Sequence, residues 1–275
     1  MAQPRLWIAA AFILTAGAAA GQQSTDPAAL QLTAQVAALS KLPLQYSTDC
    51  RVKNPAFEGR APLRTVRRAL HRGRVLKVLA IGSSSTVGIG ASSPVASYPV
   101  RLENDLEGVL KGFDVEMVSR GISGEIAQAA AERNKREVAD IKPDLVIWQV
   151  GTNDAMARVE EEDFAEQLRD TLKWLAANRV DVVLIDPQYS ERLAADEHYT
   201  SIVKAISDVA RGERVLVVHR FGAMADLAGQ MPAKTYLAAD RFHLNDLGYR
   251  CMAEYAARAI VAGILQAEAE QTPKN

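Results

Sequence analysis

Three serines in a row, Ser83, Ser84 and Ser85, follow an apolar run that ends in glycine at position 82. A hydroxyl at the turn from a buried strand into a helix lies beside backbone N–H groups that favour developing negative charge, which suits a nucleophilic serine. The same composition also serves an ordinary flexible turn, so partners elsewhere must decide. Asp240 and His243 stand three residues apart just before a helical stretch, and that spacing lets a carboxylate orient an imidazole. Asn153, within GTND at 151–154, can donate its amide to an oxyanion or, with Asp154, cap the next helix. Gly124, within SRGISGE at 119–125, can present a backbone N–H or simply ease a strand-to-helix turn. Gln188 and Tyr189, after a later apolar run, read equally as substrate-binding cleft residues or as plain loop; His71 reads as a surface residue, and His198 and His219 read as surface or core residues.

These groups need elements to bring them together. Short apolar, β-rich runs occur at 75–81, 115–118, 145–150, 182–185 and 215–218, and helical patterns lie between and after them at 98–110, 126–141, 164–177 and 247–265. Strands alternating with helices predict a parallel sheet covered on both faces, an α/β fold with a three-layer α/β/α sandwich and five strands. Right-handed crossovers then bring every strand's carboxyl end to one edge, and the serines, GTND and SRGISGE all follow strands at that edge. A short amphipathic helix is expected around Val66 and Leu70.

The 275 residues are 48% hydrophobic and 24% charged, with 32 basic against 33 acidic side chains. That balance, with no block of like charge, gives no support to a nucleic-acid partner. At the start, Arg5 precedes an apolar segment that finishes on Ala18, Ala19 and Ala20, the pattern of a cleaved export signal at 1–20, and the apolar run is shorter than a membrane span needs. The expected organisation is a signal at 1–20, an amino-terminal extension at 21–73 that includes a helix-forming stretch at 27–40, one domain at 74–265 and a tail at 266–275. An exported, periplasmic or secreted protein with two cysteines, Cys50 and Cys251, permits one disulfide or two buried thiols. Neither cysteine has the close Cys or His neighbours of a zinc site.

Taken in order, the segments GSSST at 82–86, the glycine at 124, GTND and the D-x-x-H of Asp240 and His243 resemble the four marker blocks of the SGNH, or GDSL-like, hydrolase superfamily over roughly residues 75–262. Ser83 stands where the first block of that superfamily usually carries aspartate. The resemblance implies a flavodoxin-like sheet and a serine esterase that needs no metal or cofactor. It implies Ser84, His243 and Asp240 as the catalytic triad, and an oxyanion hole made by the backbone N–H groups of Ser84 and Gly124 with the Asn153 amide. The expected substrate is a small-molecule or carbohydrate ester, with acetyl esters of carbohydrates first and lipid or aryl esters second. A catalytically silent polysaccharide-binding domain is the alternative. The nucleophile elbow of α/β-hydrolases is absent, because no G-x-S-x-G occurs.

Overall fold

The computed structural model describes residue 34 and residues 46–73, 75–231 and 235–271. The expected signal at 1–20 and, apart from Ala34, the helix-forming stretch at 27–40 lie outside them. Among the described residues no helix is long and apolar enough to cross a membrane.

A single six-stranded sheet carries the fold: β1 (Phe57–Glu58), β2 (Leu76–Gly82), β3 (Val115–Gly121), β4 (Leu145–Gln149), β5 (Asp181–Ile185) and β6 (Leu216–Val218), in the order β1-β6-β5-β4-β2-β3. β2 through β6 are all parallel, and their order is the flavodoxin-like one, in which the strand order reverses beside β2 and opens a crevice at its carboxyl end. The period-2 alternation of side chains sends Leu76, Val78 and Ala80 of β2 into one core and Leu79 and Ile81 into the other. The first core is covered by α1 (Arg64–His71), α3 (Tyr98–Val109), α9 (Arg220–Gln230) and α10 (Asp246–Ala269), the second by α4 (Ala127–Ile141), α6 (Glu161–Ala177) and α8 (Glu197–Glu213). Shorter helices α2 (Ser84–Val87), α5 (Thr152–Met156) and α7 (Glu191–Ala194) fill the loops at the carboxyl edge.

One expectation is corrected. The sheet has six strands rather than five, because β1 pairs antiparallel with β6 through Phe57 opposite Val218. Two residues are too few to show an alternating pattern, and the stretch 41–73 carries no strand signal. What makes the strand is the extension lying along an open sheet edge.

The extension is fastened rather than loose. Cys50 and Cys251 form a disulfide with Cα atoms 5.1 Å apart. Tyr255 Oη donates to the Cys50 carbonyl at 2.8 Å and Tyr236 Oη to the Asp49 carbonyl at 2.8 Å. His71 is no plain surface residue: half-buried, its Nε2 pairs with the Glu268 carboxylate near the end of α10. α10 itself continues past 265, to Ala269.

Candidate active site

Ser83, Ser84 and Ser85 part company once folded. Ser83 and Ser85 are buried, at 4% and 2% exposure, and only Ser84 is open to a ligand. Ser83 donates both its backbone N–H and its hydroxyl to Gln149 Oε1, each at 3.0 Å, which ties the serine loop to the end of β4. In this arrangement position 83 must supply a hydroxyl donor, a role serine fills and an ionised carboxylate, an acceptor only, does not. Gly82 makes the approach feasible: it has φ +156°, and an added Cβ would meet the Gln149 carbonyl oxygen at 2.8 Å.

His243 reaches Ser84 from across the crevice, its Nε2 standing 3.0 Å from Ser84 Oγ. Its Nδ1 lies 2.6 Å from Asp240 Oδ2. The other oxygen, Asp240 Oδ1, accepts the backbone N–H groups of Phe242 and His243 at 3.0 Å each, so the three-residue spacing folds into a tight turn that aims carboxylate and imidazole at each other. The His243 hydrogen bond, helped by those backbone donors, holds the Asp240 carboxyl below its ordinary range against the opposing effect of burial. The Phe242 ring meets the imidazole edge to face at 4.8 Å between centroids. Asn245 accepts from the Gly248 N–H at 3.0 Å and so starts α10 directly behind His243.

The remaining loops converge on the same crevice. Asn153 donates one amide hydrogen to the Glu125 carbonyl at 2.8 Å, which leaves its second amide hydrogen for another acceptor. Gly124 has φ +81° with open space around it, so backbone conformation and not crowding calls for glycine. Neither the Ser84 nor the Gly124 N–H donates to another described residue. The Gly124 loop is pinned on three sides. Besides Asn153, Asp154 Oδ1 accepts from the Ala127 N–H at 2.8 Å, and the buried Glu125 carboxylate pairs with Arg133. Burial, only partly offset by backbone hydrogen bonds, pushes the Asp154 carboxyl up. Neither Asn153 nor Asp154 caps the helix that follows GTND: Asp154 instead caps the preceding helix, α4, at Ala127, and Asn153 ties to the Glu125 carbonyl.

A cleft of about 730 Å³ opens beside Asp240, with Met156, Tyr189, Leu237 and Phe242 in its walls. Tyr189 lines this cleft, but Gln188 is corrected. It is 2% exposed, and its Oε1 accepts from Thr152 Oγ1 at 2.9 Å and Arg220 Nη2 at 3.1 Å, so it braces the site from beneath and does not line the cleft. His219 lies apart from Ser84, between Asp186 and Glu58 at 3.3 and 3.2 Å. Gln149 and Arg220 went unread in the sequence, since each acts through partners more than 30 residues away and neither carries a local motif. Among the described residues no cluster of His, Cys, Asp and Glu is arranged to hold a metal ion.

Comparison with known proteins gives a family model, the Non-GDSL lipase-like family, that matches residues 49–266. Several solved structures share the fold. A two-domain esterase active on acetylated mannans superposes with a TM-score of 0.65 at 18% identity, covering 82% of this chain and 60% of that one. The acetyl xylan esterase AlAXEase gives 0.58 at 22% identity, covering 67% and 100%, and a lipase/acylhydrolase from Enterococcus faecalis 0.57 at 23%, covering 73% and 99%. At such identities the likeness is one of fold. No curated protein sequence matches the chain.

Proposed function

The chain belongs to the Non-GDSL lipase-like family, and from that premise we propose that it is an exported serine hydrolase that cleaves carboxylic esters through an acyl-enzyme. The observation that carries this reading is the hydrogen-bonded series Ser84 Oγ, His243 and Asp240, at 3.0 and 2.6 Å, with Ser84 the one member of the serine run that is not buried.

Ser84 Oγ attacks the ester carbonyl carbon while His243 Nε2 takes its proton. Asp240 holds the proton on Nδ1 and stabilises the imidazolium that forms. Negative charge then gathers on the former carbonyl oxygen, where the free N–H groups of Ser84 and Gly124 and the spare Asn153 amide hydrogen receive it. Collapse breaks the bond to the alcohol oxygen, which leaves with the proton from His243. Water, deprotonated by His243, attacks the acyl carbon, and Ser84 leaves with that proton returned.

The substrate reading is a short-acyl ester, an acetylated carbohydrate first. Two of the fold neighbours act on acetylated mannans and acetyl xylan respectively, and the Tyr189 and Phe242 rings beside Asp240 offer apolar faces of the kind sugars stack on. A second reading, lipid or aryl esters, draws on the exposed Val87, Ile89, Ile122 and Met156, which flank Ser84, Gly124 and Asn153 in sequence. A chain-length series of p-nitrophenyl esters run beside acetylated oligosaccharides separates them. Acetate release from the sugars with falling rate beyond short acyl chains supports the first reading, rising rate with chain length the second, and hydrolysis of none of them sinks both.

Export is supported by the segment around Arg5 and Ala18 to Ala20 and by the Cys50–Cys251 disulfide, a bond that persists in oxidising compartments. The mass of the exported protein is expected to correspond to a chain starting near Gly21; retention of residues 1–20 would contradict cleavage.

A further inference from the structure

Arg220 is the first residue of α9, a position at which a cation ordinarily faces water, yet its side chain turns inward and is 1% exposed. A buried guanidinium carries a desolvation cost of several kcal/mol, and well-packed apolar residues often replace such groups without loss of stability. Stability alone is therefore a weak reason for it to be there. Its five donors also form a rigid planar fork that a lysine cannot copy.

Where the fork points is informative. Nη1 donates to Ser85 Oγ at 3.0 Å, the residue next to the nucleophile, and Nη2 donates to Gln188 Oε1 at 3.1 Å, while Nε donates to the Asp186 carbonyl at 2.9 Å. Gln188 Oε1 also accepts from Thr152 Oγ1 at 2.9 Å, the residue next to Asn153. On the other side of the serine loop the Tyr249 phenol donates to the Ile89 carbonyl at 2.7 Å. The nearby Asp186 carboxylate balances the charge, but its own oxygens are taken by the Phe221 N–H and His219. One planar group thus joins the loop that carries Ser84 to the loop that carries Asn153.

We infer that Arg220 is a positioning residue that fixes the separation of the nucleophile from the oxyanion-binding Asn153, acting through Ser85 on one side and through Gln188 and Thr152 on the other. This rests on the esterase reading above. Arg220 touches no substrate, so it leaves ground-state binding alone and acts on the geometry in which the tetrahedral intermediate forms.

The test uses the full-length protein and the best ester from the chain-length series. Arg220→Lys keeps the charge but cannot reach both acceptors, and kcat is expected to fall on the order of 10²-fold with KM little changed, the loss that follows a misplacement of about 1 Å. Gln188→Leu cuts the same link one residue away and is expected to lower kcat in the same way, whereas Gln188→Glu retains an acceptor for Arg220 and Thr152 and is expected to restore most of that loss. If Arg220→Lys keeps kcat within about threefold while only its melting temperature drops, Arg220 is merely structural and the inference is overturned. If Arg220→Lys does not fold, the Gln188 pair decides, and equal kcat in Gln188→Leu and Gln188→Glu overturns it. A wild-type protein that hydrolyses esters but shows these indifferent variants loses only the inference; a wild type that neither hydrolyses esters nor takes a fluorophosphonate at Ser84 loses the esterase reading and the inference with it.

Discussion

Asp240 and Asp181 stand at opposite edges of the same sheet and hold their surroundings in the same way, each accepting two consecutive backbone N–H groups. Asp240 takes those of Phe242 and His243, and Asp181 Oδ2 takes those of Thr65 and Val66 at 2.7 and 2.9 Å. Their electrostatics are opposite. Asp240 is open to water and bonded to His243, and its carboxyl is held low. Asp181 lies under α1, where desolvation outweighs its N–H donors and Arg68 and pushes it up to about 6. Similar backbone geometry therefore yields a carboxylate that keeps its charge to low pH at the carboxyl edge and one that takes up a proton already near pH 6 at the amino edge. The difference is made by burial and by the imidazole, not by the turn.

Changes at the Asp240 edge are expected to have the largest effects. Asp240→Asn puts an amide against His243 Nδ1, favours the wrong tautomer, and is expected to lower kcat on the order of 10⁴-fold, as in other triads, with little change in melting temperature. His243→Ala removes the group placed to take the Ser84 proton and should abolish nearly all turnover. Survival of near-native turnover in both variants would return the choice of base to His198 or His219.

The extension is expected to respond in the reverse sense. Opening the Cys50–Cys251 link, which closes a separation of 201 residues, by the double change to serine should lower stability by about 4 to 5 kcal/mol in the chain-entropy model. Urea unfolding measures this, and kcat on the folded protein should hardly move, since neither sulfur lies among the groups at Ser84. Asn153→Ala should cost about 2.7 to 4 kcal/mol of transition-state stabilisation, the range for loss of one oxyanion donor, with KM nearly constant.

Asp181 gives the smallest and most diagnostic effect. Its folded pKa lies above the unfolded value of about 3.9. The native state therefore binds more protons than the unfolded chain between roughly pH 4 and 6, and stability falls as pH rises through that window, by on the order of 2 kcal/mol. Asp181→Asn should flatten this dependence in unfolding curves taken at pH 4 and pH 7. Unchanged curves would show that the two aspartates do not differ as described.

How much of this could be read in the chain follows from the range of each interaction. The strands from β2 to β6 are legible because buried parallel strands are continuous apolar runs. Ser84, Asn153, Asp240 and His243 stand at recognisable positions because each closes a loop at the sheet's carboxyl edge in a fixed order. α8 and α9 went unread. α9 holds Gly222 and Gly229, residues of low helix propensity, and begins on a buried cation. β1 has no pattern of its own, and Gln188 looked exposed because its partners, Thr152 and Arg220, are over 30 residues away on either side. Polar groups that act across the sheet leave no periodic trace.

The most direct test of the central claim is covalent labelling of the wild-type protein with a fluorophosphonate, with the modified peptide mapped by mass spectrometry. One label per chain on Ser84, lost in Ser84→Ala and formed far more slowly in His243→Ala, is the predicted result. A label on Ser83 or Ser85, or none at all, would contradict it.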